Sequence, residues 1–238
     1  MPKSLSVVLP VFNEEEILEE TTCIFLQDLS RLQSDYEIII VDDGSSDQTG
    51  KIADSLAEKI GCLKVIHNPK NLGSGKSLYL GFKEARGELL IGNFADRPFD
   101  LKELRNILPL FDDQNTDFVV VARTDRSANT FYRKLTSLLN YWLIRLLFRV
   151  RVSDFQFAQI YKKEIIETIS IMSTQTFVPP ELIIKALYNG FKMIEYRSKF
   201  YPREKGNTKC GKPKVIFKTL HDIFRFWCKW IVLRKRDI

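Results

Sequence analysis

The chain has 238 residues, enough for one large α/β domain or two small ones with a sizeable core, and its 45% hydrophobic and 28% charged residues are ordinary for a soluble globular protein. Four cysteines (Cys23, Cys62, Cys210 and Cys228), no C-x-x-C pair and two histidines exclude a zinc site and a disulfide framework, so a reducing, cytoplasmic compartment is expected. The net charge of +6 is unevenly placed. A basic stretch from Lys199 to the C-terminus suits nucleic acid, anionic lipid or phosphorylated ligands, or is a plain solvated surface.

In chain order, "SLSVVLPVFN" reads as a buried strand ending at Pro10, with an apolar run too short for a signal peptide. "EEEILEETTCIFLQDLSRL" has helical spacing, with Ile17, Leu18, Cys23, Ile24 and Leu26 near one stripe and acids at the positive end of the dipole. "YEIIIVDDGSSDQT" is a second strand, stopped by Asp42, Asp43 and a Gly-Ser turn. "TGKIADSLAEKI" is a helix, "LKVIHN" a third strand, and "GKSLYLGFKEAR" a helix entered through the Gly73–Gly75 turn. "GELLIGNFAD" is a fourth strand, "DLKELRNILPLF" a helix capped by Asp100, and "TDFVVVARTD" a fifth strand. This alternation predicts an α/β fold with a mostly parallel sheet covered by helices on both faces. Ligands of such sheets bind at the carboxyl ends of the strands, where Asn13, Asp42, Asp43, Asp96 and Arg123 fall.

After Arg123 the pattern changes. "FYRKLTSLLNYWLIRLLFRVRV" is apolar and helical, but Arg145 interrupts it and no run of about 18 uncharged apolar residues exists to span a membrane. "SDFQFAQIYKKE" reads as a strand or loop, and "FVPPELIIKALYNGFKMIEYRSKFYPREKG" as a helix and a strand ending in a basic loop. The tail places Ile216, Leu220, Ile223, Trp227, Trp230 and Ile231 on one helical face and Lys218, Asp222, Arg225 and Lys229 on the other. That pattern fits both an interfacial membrane helix and a helix packed on the domain.

"NPKNLGSGKS" ends like a phosphate-binding loop, but that motif needs a glycine five residues before Gly75, where Lys70 stands. An ATPase reading therefore fails on its own motif. Asp42 and Asp43 could cap a turn, as could Asp154, because aspartate favours such places. Their company argues for more. "PVFNEE", "VDDGSSDQT", "NLGSGKSLYLGFKEARGE" and "NFADRPFD" follow one another, one after each successive strand.

This series resembles the family 2 glycosyltransferases over about residues 4–208, and most of all their dolichol-phosphate mannosyltransferase and polyprenyl-phosphate glycosyltransferase branch. The resemblance implies a single A-type glycosyltransferase domain over residues 1–212, followed by a basic amphipathic helix over 213–238. It implies an inverting transfer of sugar from a UDP- or GDP-sugar to a lipid phosphate, at the cytoplasmic face of a membrane and with no nucleic acid partner. Pro10, Asn13 and Glu15 would line the base and ribose, Asp42 would read the base edge, Asp43 and Ala95 would also belong to the nucleotide-sugar site, and Asp47 would help to fix the Asp42 loop. Asn71, Gly73 and Gly75 would form a turn beside the nucleotide.

Relatives carry Asp-Ala-Asp, with a Gln two residues on, to hold Mg²⁺ or Mn²⁺. This chain has Phe94-Ala95-Asp96 and then Pro98, leaving Asp96 as the one matching ligand. Asp154 and Gln156 would face the acceptor, with Asp154 catalytic or orienting. Glu181 matches a helix glutamate of the family, and Arg203 and Lys205 a loop that contacts diphosphate or acceptor phosphate. Arg123 and Arg133 are further phosphate candidates, since a guanidinium binds phosphate in a bidentate way. Phe94 and Pro98 also admit a degenerate domain that binds nucleotide or a partner without turnover. A nucleotidyltransferase would need acidic ligands that the sequence lacks.

Overall fold

Every residue of Leu5–Val11 is buried, and this strand, β1, is the spine of the fold. A computed structural model describes residues 3–32, 34–113, 115–124, 131–200 and 213–233, with side chains from 138 and from 215 in the two helices that open the last two ranges. The described elements are β1 (Leu5–Val11), α1 (Leu18–Leu29), β2 (Tyr36–Asp42), α2 (Thr49–Lys59), β3 (Leu63–His67), α3 (Ser74–Glu84) and β4 (Leu89–Gly92). The short α4 (Leu104–Ile107), β5 (Phe118–Arg123), α5 (Phe131–Phe148), β6 (Ala158–Lys162), α6 (Lys163–Thr168), α7 (Val178–Tyr188), β7 (Met193–Ser198) and α8 (Pro213–Trp227) complete them.

The seven strands form one sheet in the order β3-β2-β1-β4-β6-β5-β7, parallel except for β6, which runs antiparallel to β4 and β5. Side chains alternate across it, as strand geometry requires. Val7, Leu9, Ile38, Ile40, Val119 and Val121 pack under α1, α2 and α4. Val8, Ile39, Val41, Phe118 and Val120 pack under α3, α5, α7 and α8. Burial on both faces explains why these strands read as unbroken apolar runs.

The chain reverses direction across the sheet beside β1: β2 and β3 lie on one side, β4 on the other. The pairing of β1 with β4 ends at Val8–Gly92, two residues before Pro10. A proline inside a central strand is tolerated there because the sheet opens at that point. The crevice so formed is the place where open α/β sheets take ligands.

Three expectations are corrected. The stripe of α1 that faces the sheet is Leu18, Thr21, Thr22, Phe25 and Leu29, while Cys23 is exposed and Ile24 and Leu26 are only half-buried. Residues 101–112 are not one helix but a single α-turn between two 3₁₀ stretches, with Pro109 near the start of the second. Proline supplies no amide to the helical ladder, which accounts for the break. Asp100 does cap the first stretch, accepting from the Lys102 amide at 3.0 Å. Finally, Asp222 is not on a solvated face of α8: it is buried with Thr219, Ile223, Phe226 and Trp230. Phe226 stacks on Phe148 of α5 with ring centroids 5.2 Å apart, so the inner face of α8 belongs to the core. Each such side chain fully buried contributes about 1.5–3 kcal/mol.

Candidate active site at the strand ends

Because β6 runs against its neighbours, the segment leading into it lies on the same edge of the sheet as the ends of the parallel strands. Along that edge stand, in spatial order, His67 closing β3, Asp42 closing β2, Asn13 after β1, Asp96 after β4, Asp154 before β6 and Arg123 closing β5. The sequence scatters these residues over more than 140 positions; strand order alone aligns them.

At the β1–β2 end two loops are laced together by side chains. The Asn13 amide donates to Ser45 Oγ at 2.9 Å, and Ser46 returns its amide to Asn13 Oδ1 at 2.8 Å. Asn13 has a φ of +51°, a left-handed conformation that asparagine tolerates better than most residues. Gln48 donates its amide to Glu15 Oε2 at 2.9 Å, and Thr49 donates to Asp47 Oδ1 at 3.0 Å. Burial pushes the Asp47 carboxyl up, but hydrogen bonds from the side chain and amide of Thr49 and from the Glu15 amide outweigh it and hold it below the ordinary range. Asn13, Glu15 and Asp47 thus build the loops that frame the crevice.

The two adjacent aspartates divide their work. Asp42 is buried; its Oδ1 accepts from the Ser45 amide at 3.0 Å and its Oδ2 faces His67 Nδ1 at 3.1 Å. His67 Nε2 reaches Asp54 Oδ1 at 2.9 Å. The Asp54 hydrogen bond raises the His67 pKa; partial burial opposes it and Asp42 adds to it. Asp43 turns the other way and organises the next loop. Its Oδ1 accepts from the Leu72 amide at 2.8 Å and from Asn68 Nδ2 at 3.1 Å, and its Oδ2 from the Gly73 amide at 2.9 Å.

In the turn itself Asn71 is exposed and Gly73 has a φ of +100°, a conformation that excludes most side chains. A methyl group at Gly73 would come within 2.6 Å of the Thr174 carbonyl oxygen, and one at Gly75 would strike Gln175 and Val178. "Gly-Lys-Ser" is no phosphate cradle. Ser77 is buried and receives Asn68 Nδ2 at 2.9 Å, and the Lys76 amide is spent on the Thr174 carbonyl at 3.0 Å.

After β4, Asn93 fixes the turn by donating Nδ2 to the Phe99 carbonyl at 2.8 Å, and Arg97 closes it onto the Phe94 carbonyl at 2.9 Å. Ala95 is buried, its carbonyl accepting from Thr21 of α1 at 2.7 Å; Phe94 and Asp96 are half-buried. Among the described residues no group of three His, Cys, Asp or Glu gathers in a way that would hold a metal ion. One carboxylate and a phenyl ring do not form a resident site for a hard cation, which requires several oxygens.

At the far end Asp154 is 2% exposed and receives Arg123 in bidentate fashion, Nε to Oδ2 at 2.6 Å and Nη2 to Oδ1 at 3.1 Å. Its Oδ1 also accepts the Gln156 amide at 3.1 Å. The Arg123 guanidinium lies between the rings of Phe157 and Phe200, 5.8 and 5.7 Å from their centroids. A cleft lined by Arg123, Asn140, Tyr141, Asp154 and Gln156 opens beside the pair. Arg133 sits in α5, where its side chain is outside the described residues, as are Arg203 and Lys205 altogether. Glu181 is not at the edge. It is fully buried, 3.2 Å from Lys185, and accepts the amides of Met172 and Ser173 at 2.8 and 2.9 Å.

The sequence pattern of glycosyl transferase family 2 matches residues 6–170, which include all six residues of this row. The chain belongs to that family. Among curated relatives it is 32% identical over 237 residues to a dolichol-phosphate mannosyltransferase of Pyrococcus furiosus, covering 95% of this chain and 64% of the relative. It is 31% identical over 218 residues to an undecaprenyl-phosphate 4-deoxy-4-formamido-L-arabinose transferase of Edwardsiella ictaluri, covering 89% and 64%. Glycosyltransferase AglD of Haloferax volcanii is 29% identical over 231 residues, covering 94% and 37%. The chain thus spans from about a third to just under two thirds of the length of these relatives.

Among solved structures, glucosyl-3-phosphoglycerate synthase of Mycobacterium tuberculosis with Mn²⁺, UDP-glucose and phosphoglyceric acid superposes with a TM-score of 0.65 at 17% identity, covering 93% of this chain and 80% of that one. Mannosyl-3-phosphoglycerate synthase of Rubrobacter xylanophilus gives 0.69 at 16%, covering 99% and 76%. At such identities these share the fold, the A-type glycosyltransferase fold expected from the sequence. Family membership removes the ATPase and nucleotidyltransferase readings.

Two features escaped sequence reasoning. His67 lies directly opposite Asp42 in the β2–β3 register, a pairing that the two strand ends implied once aligned. Asp222 reaches across the fold, and no local pattern signals that.

Proposed function

We propose that this glycosyltransferase moves a sugar from a UDP- or GDP-sugar to a polyprenyl phosphate with inversion at the anomeric carbon. The observation that carries the reading is the edge itself: a carboxylate and laced loops at the β1–β2 end, a held arginine at the β5–β6 end, and Asp96 between them. Asp42 reads the base, and Asn13, Glu15 and the Gly73–Gly75 turn shape the pocket around it. An acceptor phosphate oxygen is already anionic near neutral pH, so attack on the anomeric carbon needs no strong base. The bond to the diphosphate breaks as the new one forms, and negative charge grows on the leaving group, where Arg203 and Lys205 stabilise it.

Asp154 then serves less as a base than as the holder of Arg123. Bidentate pairing and two flanking rings fix the guanidinium at the cleft where a phosphate would enter. Asp96 is the side chain that would meet a divalent ion held by the donor's diphosphate, and such an ion would supply positive charge to the leaving group.

The acceptor's lipid suits the outer surface of α5 and α8. Leu139, Trp142 and Leu146 on α5 and Phe217 and Phe224 on α8 are 48–76% exposed, with Lys218 and Arg225 beside them. Among the described residues no helix is long and apolar enough to cross a membrane, so contact there would be with its surface. Phe94 favours a second reading, a nucleotide-binding domain without turnover. A panel of nucleotide-sugars tested by thermal shift, with and without Mn²⁺ and anionic vesicles, separates the two when followed by product analysis. Binding without product in every combination supports the second reading, and no binding at all defeats both.

A further inference from the structure

Four consecutive backbone amides between α6 and α7 are captured by two buried carboxylates. Met172 and Ser173 donate to Glu181 of α7. Thr174 and Gln175 donate to Oδ2 of Asp222, at 3.1 and 3.4 Å. Asp222 lies in the middle of α8, where a carboxylate caps nothing of its own helix, and it is 7% exposed. The exposed His221 ring places its Nδ1 4.0 Å from Oδ1, too far for a hydrogen bond. Burying a carboxylate is costly unless hydrogen bonds satisfy it, and an apolar residue would pack α8 at less cost. What Asp222 supplies that an apolar residue cannot is a grip on the Thr174–Gln175 backbone. Beside it, Thr219 donates to the Val215 carbonyl at 2.8 Å, and Thr176 meets Thr219 at 3.0 Å, a second tie between the same two segments.

The gripped segment presses on the turn assigned above to the nucleotide. The Thr174 carbonyl accepts the Lys76 amide at 3.0 Å and stands where a side chain at Gly73 would begin; Gln175 fills the same place at Gly75. The turn is therefore held from two sides. Asp43 takes the Gly73 and Leu72 amides from the sheet side, and the Thr174–Gln175 backbone backs the turn from the helix side.

We propose that Asp222 is a positioning residue for donor binding: through Thr174 and Gln175, it makes the C-terminal helix part of the wall that sets the Gly73–Gly75 turn. The proposal rests on the assignment of that turn to the nucleotide. Nothing in the family-matched region, residues 6–170, contains Asp222 or its partners, so this contact ties a segment outside it to the strand-end site.

The test is titration of the full chain with UDP and GDP, comparing wild type with Asp222→Ala, Asp222→Asn and Phe226→Leu. Alanine removes the acceptor of two charge-assisted hydrogen bonds and is expected to weaken nucleotide binding roughly tenfold. Asparagine keeps one oxygen to receive both amides and stays within about threefold of wild type. Phe226→Leu loosens the packing of the same helix; it lowers the melting temperature yet leaves affinity within about twofold. Equal affinity of Asp222→Ala and wild type overturns the proposal while leaving the assignment of the turn intact. Weakening by Phe226→Leu as large as that by Asp222→Ala overturns it too, because general packing would then explain both. A wild type that binds neither nucleotide overturns the assignment and the proposal together. Should Asp222→Ala fail to fold, hydrogen exchange on wild type decides: UDP or GDP must slow the Thr174 and Gln175 amides, and unchanged rates refute the coupling.

Discussion

Arg123→Ala puts the reading of the acceptor end to its sharpest test. The substitution takes both hydrogen bonds of the guanidinium, at 2.6 and 3.1 Å, from a carboxylate that is 2% exposed. Breaking a buried pair by deleting one partner costs about 3–5 kcal/mol, because the surviving charge stays desolvated. The Arg123 side chain is itself 14% exposed, and Asp154 keeps the Gln156 amide, so the lower figure of about 3 kcal/mol applies. In a chain of this length a loss of that size lowers the melting midpoint by about 6 °C. Asp154→Ala should cost a similar amount, since it strands the cation between Phe157 and Phe200. The double variant should cost less than the sum of the two by about 2 kcal/mol, the coupling expected of directly paired groups. Urea denaturation of the four proteins measures all three quantities. Singles that each cost under about 1 kcal/mol and simply add would place the pair with exposed surface bridges and refute the claim that Asp154 holds Arg123.

Asp42→Ala should abolish UDP or GDP binding and leave the fold intact, whereas Lys76→Ala should leave nucleotide binding within a few-fold; ATP binding that requires Lys76 would reverse that assignment. His67 should make stability pH-dependent. Its folded pKa is raised, by Asp54 first and by Asp42, above its ordinary value near 6.5, so its contribution is complete below that pH and is lost as pH rises through the folded pKa. His67→Gln should flatten that slope in denaturation curves measured from pH 5.5 to 8.5; an unchanged slope would assign the pH dependence elsewhere. Phe94→Asp should tighten Mn²⁺ binding measured with UDP or GDP present, because a second hard oxygen replaces a water. Equal Mn²⁺ affinity in wild type and variant would mean that position 94 does not face the ion.

Much of this was legible before any coordinates. Unbroken apolar runs separated by helical periods located the first five strands and the helices between them, since burial on both faces leaves that signature. The antiparallel run of β6 was not legible, because five residues of strand carry no mark of their direction. The strand-end carboxylates were visible as candidates, but the division of labour between Asp42 and Asp43 depends on which way each side chain turns from one strand end. The glycines at 73 and 75 could be assigned to a turn; that their open sides receive Thr174 and Gln175 depends on segments about a hundred residues apart. Asp222 was misplaced on a solvated face because helical periodicity ranks residues by polarity and cannot see a loop whose amides require an acceptor.

The central claim is transfer of sugar to a lipid phosphate. It is tested most directly by incubating the chain with a radiolabelled UDP- or GDP-sugar and a polyprenyl phosphate in vesicles, and following label into the lipid phase. The account predicts lipid-linked label with at least one donor, abolished by Asp42→Ala and by Asp96→Ala. Donor binding without label in the lipid phase, for every donor and with either Mg²⁺ or Mn²⁺ present, would contradict it.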